Sequence, residues 1–389
     1  MKKKSRFMLR VTFIMFYYSH SKNQPTRKNE PQEKHMKIES IKEMMVRLAE
    51  VELTVSPVIT CVVNLNQPHQ KAAEEMEQQA TEVGRTLSGI QKKCFDEALE
   101  NMKKFLLETP LPSAKGAVIY CRVGELPLLY AFPVGIKLET KLVVDELPHI
   151  YPIVETLDTY HRFVVVTLTS REARIFETTA GAVTSELLTE RPELREKIGR
   201  EWTRERYINH KQDRKQKFIQ GKIEVLDELM AKAGHKSLIV AGSPKMVSAF
   251  TSALPPRLQV MLVDTLTVNP KAGLDPILVE AINSFVAKEC EESHDQVEDL
   301  ESALMKQGLG VAGEPAARQA LEHGYADVLI IDQDYSNDAR EELVRLAVKS
   351  DAEIETVKDS DKLKRLGGVG CLLRYRPAYV DQSNMASAS

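Results

Sequence analysis

The chain has 389 residues, 43% hydrophobic and 28% charged, too long for one ordinary core and of a composition that excludes disordered, fibrous and collagen-like classes. Its formal net charge of -3 excludes wholesale electrostatic adhesion to nucleic acid and leaves a local basic patch as the route to such a role. Five cysteines (Cys61, Cys94, Cys121, Cys290, Cys371) are odd in number, widely spaced and mostly set in apolar runs. They read as reduced core thiols of a cytoplasmic protein. No Cys-x-x-Cys or His-Glu-x-x-His spacing occurs, so no metal and no cofactor is expected.

Residues 1–35 combine Lys2-Lys3-Lys4, an apolar run over 11–18 and a polar stretch ending at His35. The run is shorter than the roughly 20 apolar residues a membrane span needs, and no small-residue cleavage site follows it. Met36 opens onto a helical pattern of Ile38, Ile41, Met44, Met45 and Leu48. We therefore expect Met36 to be the biological start and 1–35 to be disordered or extraneous.

The β-branched run 56–65, flanked by Pro57 and Pro68, predicts a buried strand. From 69 to 107 the chain is rich in Glu, Gln, Lys and Ala, and Phe95, Leu99, Met102 and Leu106 share one helical face, which predicts a single long helix. The runs 117–123 and 126–134 flank Gly124-Glu125 as a hairpin. Residues 36–155 thus read as one mixed α/β domain.

A second hairpin is predicted from 163–168 and 173–176 around the polar turn 169–172. A charged helix over 201–232, a strand at 237–240, a helix at 244–252 and a strand at 260–263 follow in βαβ succession, and complete a domain over 156–270. The third domain, 271–376, opens with a helix over 277–305. It continues as helix 315–323, strand 326–331, helix 338–349, strand 352–357, short helix 361–365 and strand 369–375, the alternation of an α/β sandwich. The tail 377–389 is polar and expected to be disordered.

The strongest local signal is the segment 195–217, with nine Lys or Arg against four acids, a local charge of +5 in a chain of -3. Its cations are Arg195, Lys197, Arg200, Arg204, Arg206, Lys211, Arg214, Lys215 and Lys217. The chain's one tryptophan, Trp202, lies among them with Tyr207 and His210. Cations that neutralise phosphates, interleaved with rings that stack on bases, are what RNA contact requires. The plain alternative is a solvated charged helix with one buried aromatic.

Three glycine-bearing strings invite functional readings that their context weakens. Gly308-Leu309-Gly310-Val311-Ala312-Gly313 spells a dinucleotide-binding string, but it follows a helix and lies too near the C-terminus for a full Rossmann domain, so we expect a turn between helix and strand. Ala241-Gly242-Ser243-Pro244-Lys245 lacks the second glycine and the Lys-Ser/Thr pair of a Walker loop, and reads as a strand-to-helix turn with Ser243 at the N-cap. Gly367-Gly368, ahead of the last strand, reads as a positive-φ turn before it reads as an RNA contact. No Ser-His-Asp or Cys-His arrangement appears, and the scattered histidines carry no catalytic signal of their own.

The strand at 56–60, the segment 199–210 (Gly-Arg-Glu-Trp-Thr-Arg-Glu-Arg-Tyr-Ile-Asn-His), the strand 326–331 and the closing 367–375 together resemble bacterial members of the archaeal and eukaryotic-type release factor 1 and Pelota superfamily. The resemblance covers most of 50–376, is strongest in the last hundred residues and weakest in the first domain. It implies an α/β protein of three mixed α/β domains, the third an L7Ae-like α/β sandwich. Release factors of this superfamily that hydrolyse peptidyl-tRNA carry Gly-Gly-Gln on a middle-domain loop. No Gly-Gly-Gln occurs in this chain, where the corresponding loop reads Lys197-Ile198-Gly199-Arg200-Glu201-Trp202, so no catalytic residue is carried over.

What the resemblance implies is a ribosome A-site-binding factor for rescue or hibernation, with the ribosome and ribosomal RNA as partners, room for an elongation-factor-like GTPase, and neither DNA nor membrane. Its RNA-binding residues would be Gly199, Arg200, Trp202, Arg204, Arg206, Tyr207, His210, Lys211 and Arg214. A divergent peptidyl-tRNA hydrolase using Glu201 or His210, and a stress-related interaction protein with no ribosomal role, are the rival readings.

Overall fold

The structure, a computed structural model, describes residues 39–111, 114–169, 172–190, 204–268, 274–306 and 308–375. The expected extension 1–35 and tail 377–389 lie outside these. Two compact units emerge: Tyr160–Lys288 forms one, and residues 39–159 together with 289–375 form the other.

Helix α1 (Glu39–Ala49) leads into β1 (Val58–Asn64), then α2 (His69–Gly84), α3 (Gly89–Glu108), β2 (Gly116–Arg122), β3 (Leu128–Val134), β4 (Lys141–Asp145) and α4 (Tyr151–Thr159). The strands make an antiparallel sheet in the order β3-β2-β1-β4. Strand alternation sends Ile59, Cys61 and Val63 to one face with Ala117, Ile119 and Cys121, where they meet Ala72, Met76 and Ala80 of α2 and Phe95, Ala98 and Met102 of α3.

The single helix expected over 69–107 is two helices. The break falls between Gly84 and Gly89, where Gly89 adopts a φ of +58° that no helix interior tolerates. The two helices then lie on the same sheet face, which one straight helix of that length could not cover.

The unit Tyr160–Lys288 contains β5 (Phe163–Leu168), β6 (Glu172–Thr179), β7 (Ala182–Glu190), α5 (Arg204–Ala233), β8 (Leu238–Gly242), α6 (Pro244–Thr251), α7 (Pro256–Val260), β9 (Leu262–Thr267) and the first half of α8 (Leu274–Met305). Its sheet runs β7-β6-β5-β8-β9, with β5, β8 and β9 parallel and β6 and β7 antiparallel. Both faces are covered, as a parallel sheet requires. On one, Val164, Val166, Leu238 and Val240 meet Ile219, Ile223, Leu226 and Met230 of α5 and Phe250 of α6. On the other, Phe163, Val165 and Ile239 meet Ile277, Ala281 and Phe285 of α8, with the rings of Phe163 and Phe285 stacked at 4.2 Å.

In the second unit the chain continues through the rest of α8 to β10 (Gly310–Ala312), α9 (Glu314–Glu322), β11 (Ala326–Asp332), α10 (Asn337–Lys349), β12 (Glu353–Val357), α11 (Asp361–Arg365) and β13 (Val369–Leu373). The sheet order is β10-β13-β11-β12, with only the β11 and β12 pair parallel. Val297 and Leu300 of α8 pack with Ile330, Val357 and Leu363. The string 308–313 begins as the helix-to-strand turn expected of it, Gly308 and Leu309 leading from α8 into β10, an edge strand paired to β13, and Gly313 then turns at a φ of +83° into α9.

Candidate functional site

Helix α5 carries most of the basic segment that the sequence singles out. Its anchor is the row Ile219, Ile223, Leu226 and Met230, spaced four, three and four residues apart and all buried against the sheet. The anchored row begins 15 residues after Arg204, which is about 22 Å along the axis at about 1.5 Å per residue. Of the expected RNA-binding residues, Arg204, Arg206, Tyr207, His210, Lys211 and Arg214 lie on the first three turns of α5. Gly199, Arg200 and Trp202 lie outside the described residues.

Arg204 and Arg206 lie on α5 ahead of its anchored row, with Glu205 between them. At the other end of the helix, Asp227 pairs with Arg257 of α7 at 2.5 Å and Lys232 with Glu228 at 2.6 Å, ordinary surface ion pairs.

A buried polar group lies in the same unit, which sequence reading passed over. His235 has a fully buried side chain, and its Nε2 is 2.8 Å from Glu177 Oε1. Its Nδ1 and the Nε of nearby Arg162 are both buried without a hydrogen-bond partner. Burial lowers the Arg162 pKa, and the charge of Glu177 opposes that shift.

The C-terminal glycines serve the fold. Gly367 and Gly368 have φ values of +93° and +75°, and a Cβ on Gly368 would sit 2.8 Å from the ring of Tyr335. The N–H of Gly368 donates to Leu363 at 2.9 Å, closing the end of α11, and its carbonyl accepts from Asp332 at 2.9 Å. Beside this turn, an open depression of about 520 Å³ is lined by Asp361, Lys364 and Arg365. Lys364 lies 3.8 Å from Asp334, and Nε of Arg365 donates to the Asp361 carbonyl at 3.3 Å.

Ser243 occupies the N-cap of α6 as expected, although its side chain makes no capping bond. Cys61, Cys121 and Cys371 are buried, but Cys290 is exposed on α8, contrary to the reading of these cysteines as core thiols; its run, Ala287-Lys288-Glu289-Cys290-Glu291, is charged. Among the described residues no group of three or more His, Cys, Asp or Glu could hold a metal, and no helix is long and apolar enough to cross a membrane.

Among the described residues these elements form three sheets of an α/β protein, the middle one a mixed sheet that carries the long, basic helix α5. The sequence model described as "Bacterial archaeo-eukaryotic release factor family 10" matches residues 148–286. The "Protein pelota homolog" of Pyrococcus furiosus is 26% identical over 185 residues, covering 44% of this chain and 52% of that protein. The chain is thus similar to bacterial archaeo-eukaryotic release factors over 148–286 and to a Pelota homologue over 185 residues. It spans about half the length of that curated relative. Solved structures resemble it more loosely. Archaeoglobus fulgidus Pelota is 17% identical with a TM-score of 0.37, covering 67% of this chain and 79% of its own. Dom34 of S. cerevisiae, described as a translation termination-like factor, is 13% identical with a TM-score of 0.41, covering 68% and 82%.

Proposed function

We propose that this protein binds the ribosomal A site without hydrolysing peptidyl-tRNA, as a factor of ribosome rescue or hibernation. The observation that carries the reading is the +5 segment 195–217, whose described part lies on α5 inside the region matched by the release-factor family. A cluster of like charges repels itself in the free protein, and a polyanion relieves that repulsion. Arg200, Arg204, Arg206, Lys211 and Arg214 would neutralise ribosomal RNA phosphates, with Trp202, Tyr207 and His210 offering rings to unstacked bases and Gly199 allowing close backbone approach.

The chain lacks Gly-Gly-Gln, which favours occupancy over ester hydrolysis. The ribosome and its RNA are then the principal partners, with an elongation-factor-like GTPase as a candidate escort. The test is sedimentation of the full chain with intact ribosomes in a sucrose gradient, together with release of labelled peptide from programmed ribosomes. Cosedimentation without release is the expected result. Release of peptide would replace this reading with that of a hydrolase, and failure to sediment with ribosomes at low salt would end the ribosomal reading.

A further inference from the structure

In the unit of residues 39–159 and 289–375, α10 supplies a polar joint between the N-terminal and C-terminal sheets. Helix α4 begins at Tyr151, and Ile150 just before it accepts the first helical bonds from Ile153 and Val154. An isoleucine has no side-chain acceptor for the unpaired amides of the first turn. Glu341 of α10 provides one: its carboxylate accepts from the N–H of Ile150 at 2.9 Å and of Tyr151 at 3.3 Å. A residue from the C-terminal sheet's layer thus caps a helix of the N-terminal half.

The same carboxylate lies 3.4 Å from Nδ1 of His149, whose Nε2 is 3.0 Å from Asp145 of β4. One turn along α10, Arg345 donates to the carbonyls of Leu48, Ala49 and Pro148 at 3.1, 3.3 and 2.6 Å. Arg340 lies 3.8 Å over the ring of Tyr151, and the Tyr151 hydroxyl donates to Glu155 at 3.3 Å. The backbone of His149 is itself fixed to the N-terminal sheet, its N–H donating to Thr60 and its carbonyl accepting from Tyr120. The imidazole therefore reaches from a fixed base toward α10.

We propose that this joint is an acid-tightened latch, in which protonation of His149 between Asp145 and Glu341 draws residues 145–151 onto α10 and holds the two sheets together more firmly. The groups facing His149 are Asp145 from β4, Glu341 and Arg345 from α10 and the Tyr120 hydroxyl from β2. Burial works against a charged ring, but the hydrogen bonds and charges of Glu341 and Asp145 outweigh it and hold the His149 pKa above its ordinary value.

The folded-state value lies above the unfolded one. The contribution is thus complete below the unfolded pKa, near 6.5 for histidine, and fades as pH rises through the folded value. The latch weakens toward alkaline pH and does not vanish there, because the Glu341 bonds to the α4 amides remain.

The test is amide hydrogen exchange of the full chain between about pH 5.5 and about pH 8.5, corrected for the intrinsic pH dependence of exchange. Protection of Ile150 and Tyr151 should be about threefold to tenfold greater at the acid end. His149→Gln should flatten this profile. Asp145→Asn, at an exposed carboxylate that leaves the fold intact, should reduce its slope. A flat profile in the parent chain, or an unchanged slope in both variants, would overturn the latch. The readout involves no ribosome, so it stands or falls apart from the proposed function.

Discussion

Asp158 of α4 accepts two hydrogen bonds from Thr356 of β12, from the amide at 2.8 Å and from the hydroxyl at 2.6 Å, across 198 residues of chain. Thr356 is 5% exposed, so neither donor has ready access to water if the carboxylate goes. Asp158→Ala should cost about 1–3 kcal/mol of unfolding free energy, the penalty for stranding buried donors. Denaturant titration of the full chain checks this. A loss within about 0.5 kcal/mol of zero, the range of an ordinary surface change, would show that solvent reaches the site.

Two glycines should resist substitution for different reasons. Gly242 pairs with Leu168 across the parallel β5 and β8 strands, and an added Cβ would run into the Leu168 carbonyl oxygen. Backbone in a sheet centre cannot give way, so Gly242→Ala should cost about 1–3 kcal/mol through overpacking. Gly368→Ala combines a φ of +75° with a clash against the Tyr335 ring and should cost about as much. Adding Tyr335→Ala removes the clash alone, and a partial recovery of thermal stability in that background separates the two causes.

The thiols should divide by burial. Burial pushes the pKa of Cys61, Cys121 and Cys371 up to about 12, which leaves almost no thiolate near pH 8, whereas Cys290 is exposed. Alkylation of the native chain near pH 8 followed by mass mapping should modify Cys290 first. Cys61 and Cys371 should react only after unfolding, and their rapid labelling in the folded chain would contradict the packing of both sheets.

Fully buried or cleanly alternating strands were legible in the sequence. The runs at β1, β5 and β11 and the hairpin of β2 and β3 carry β-branched residues between turn signals, and the folded strands lie within a few residues of the expected ones. Strand β7 was not legible, because Ala182–Glu190 is polar on much of its length and sits at a sheet edge, where packing imposes little pattern. The break between α2 and α3 was missed because the stretch Arg85-Thr86-Leu87-Ser88 holds no proline and Leu87 continues the apolar period. The joint around Glu341 was beyond reach for a different reason. His149 and Glu341 are ordinary surface residue types, 192 positions apart, and no local pattern marks their meeting. The basic segment was visible because charge excess is a local property of sequence, although the contacts of its side chains are not.

That segment supports the most direct test of function, because phosphate neutralisation has a thermodynamic signature that a solvated helix lacks. Each cation that contacts a phosphate releases about 0.7–0.9 counterions, so binding should weaken steeply as salt rises. Arg204→Ala and Arg206→Ala should each lower ribosome affinity and reduce the slope of log affinity against log salt by roughly one, with melting temperature unchanged. Trp202→Ala should weaken binding by about 1–3 kcal/mol with stability held if the ring stacks on a base. It should instead cost about 3–5 kcal/mol of fold stability if the ring belongs to a core. Affinity measured by sedimentation at several salt concentrations, beside thermal melts of the same variants, separates these outcomes. If all three variants bind with the parent slope and affinity, the cations are solvated, and the proposed contact between α5 and ribosomal RNA must be given up.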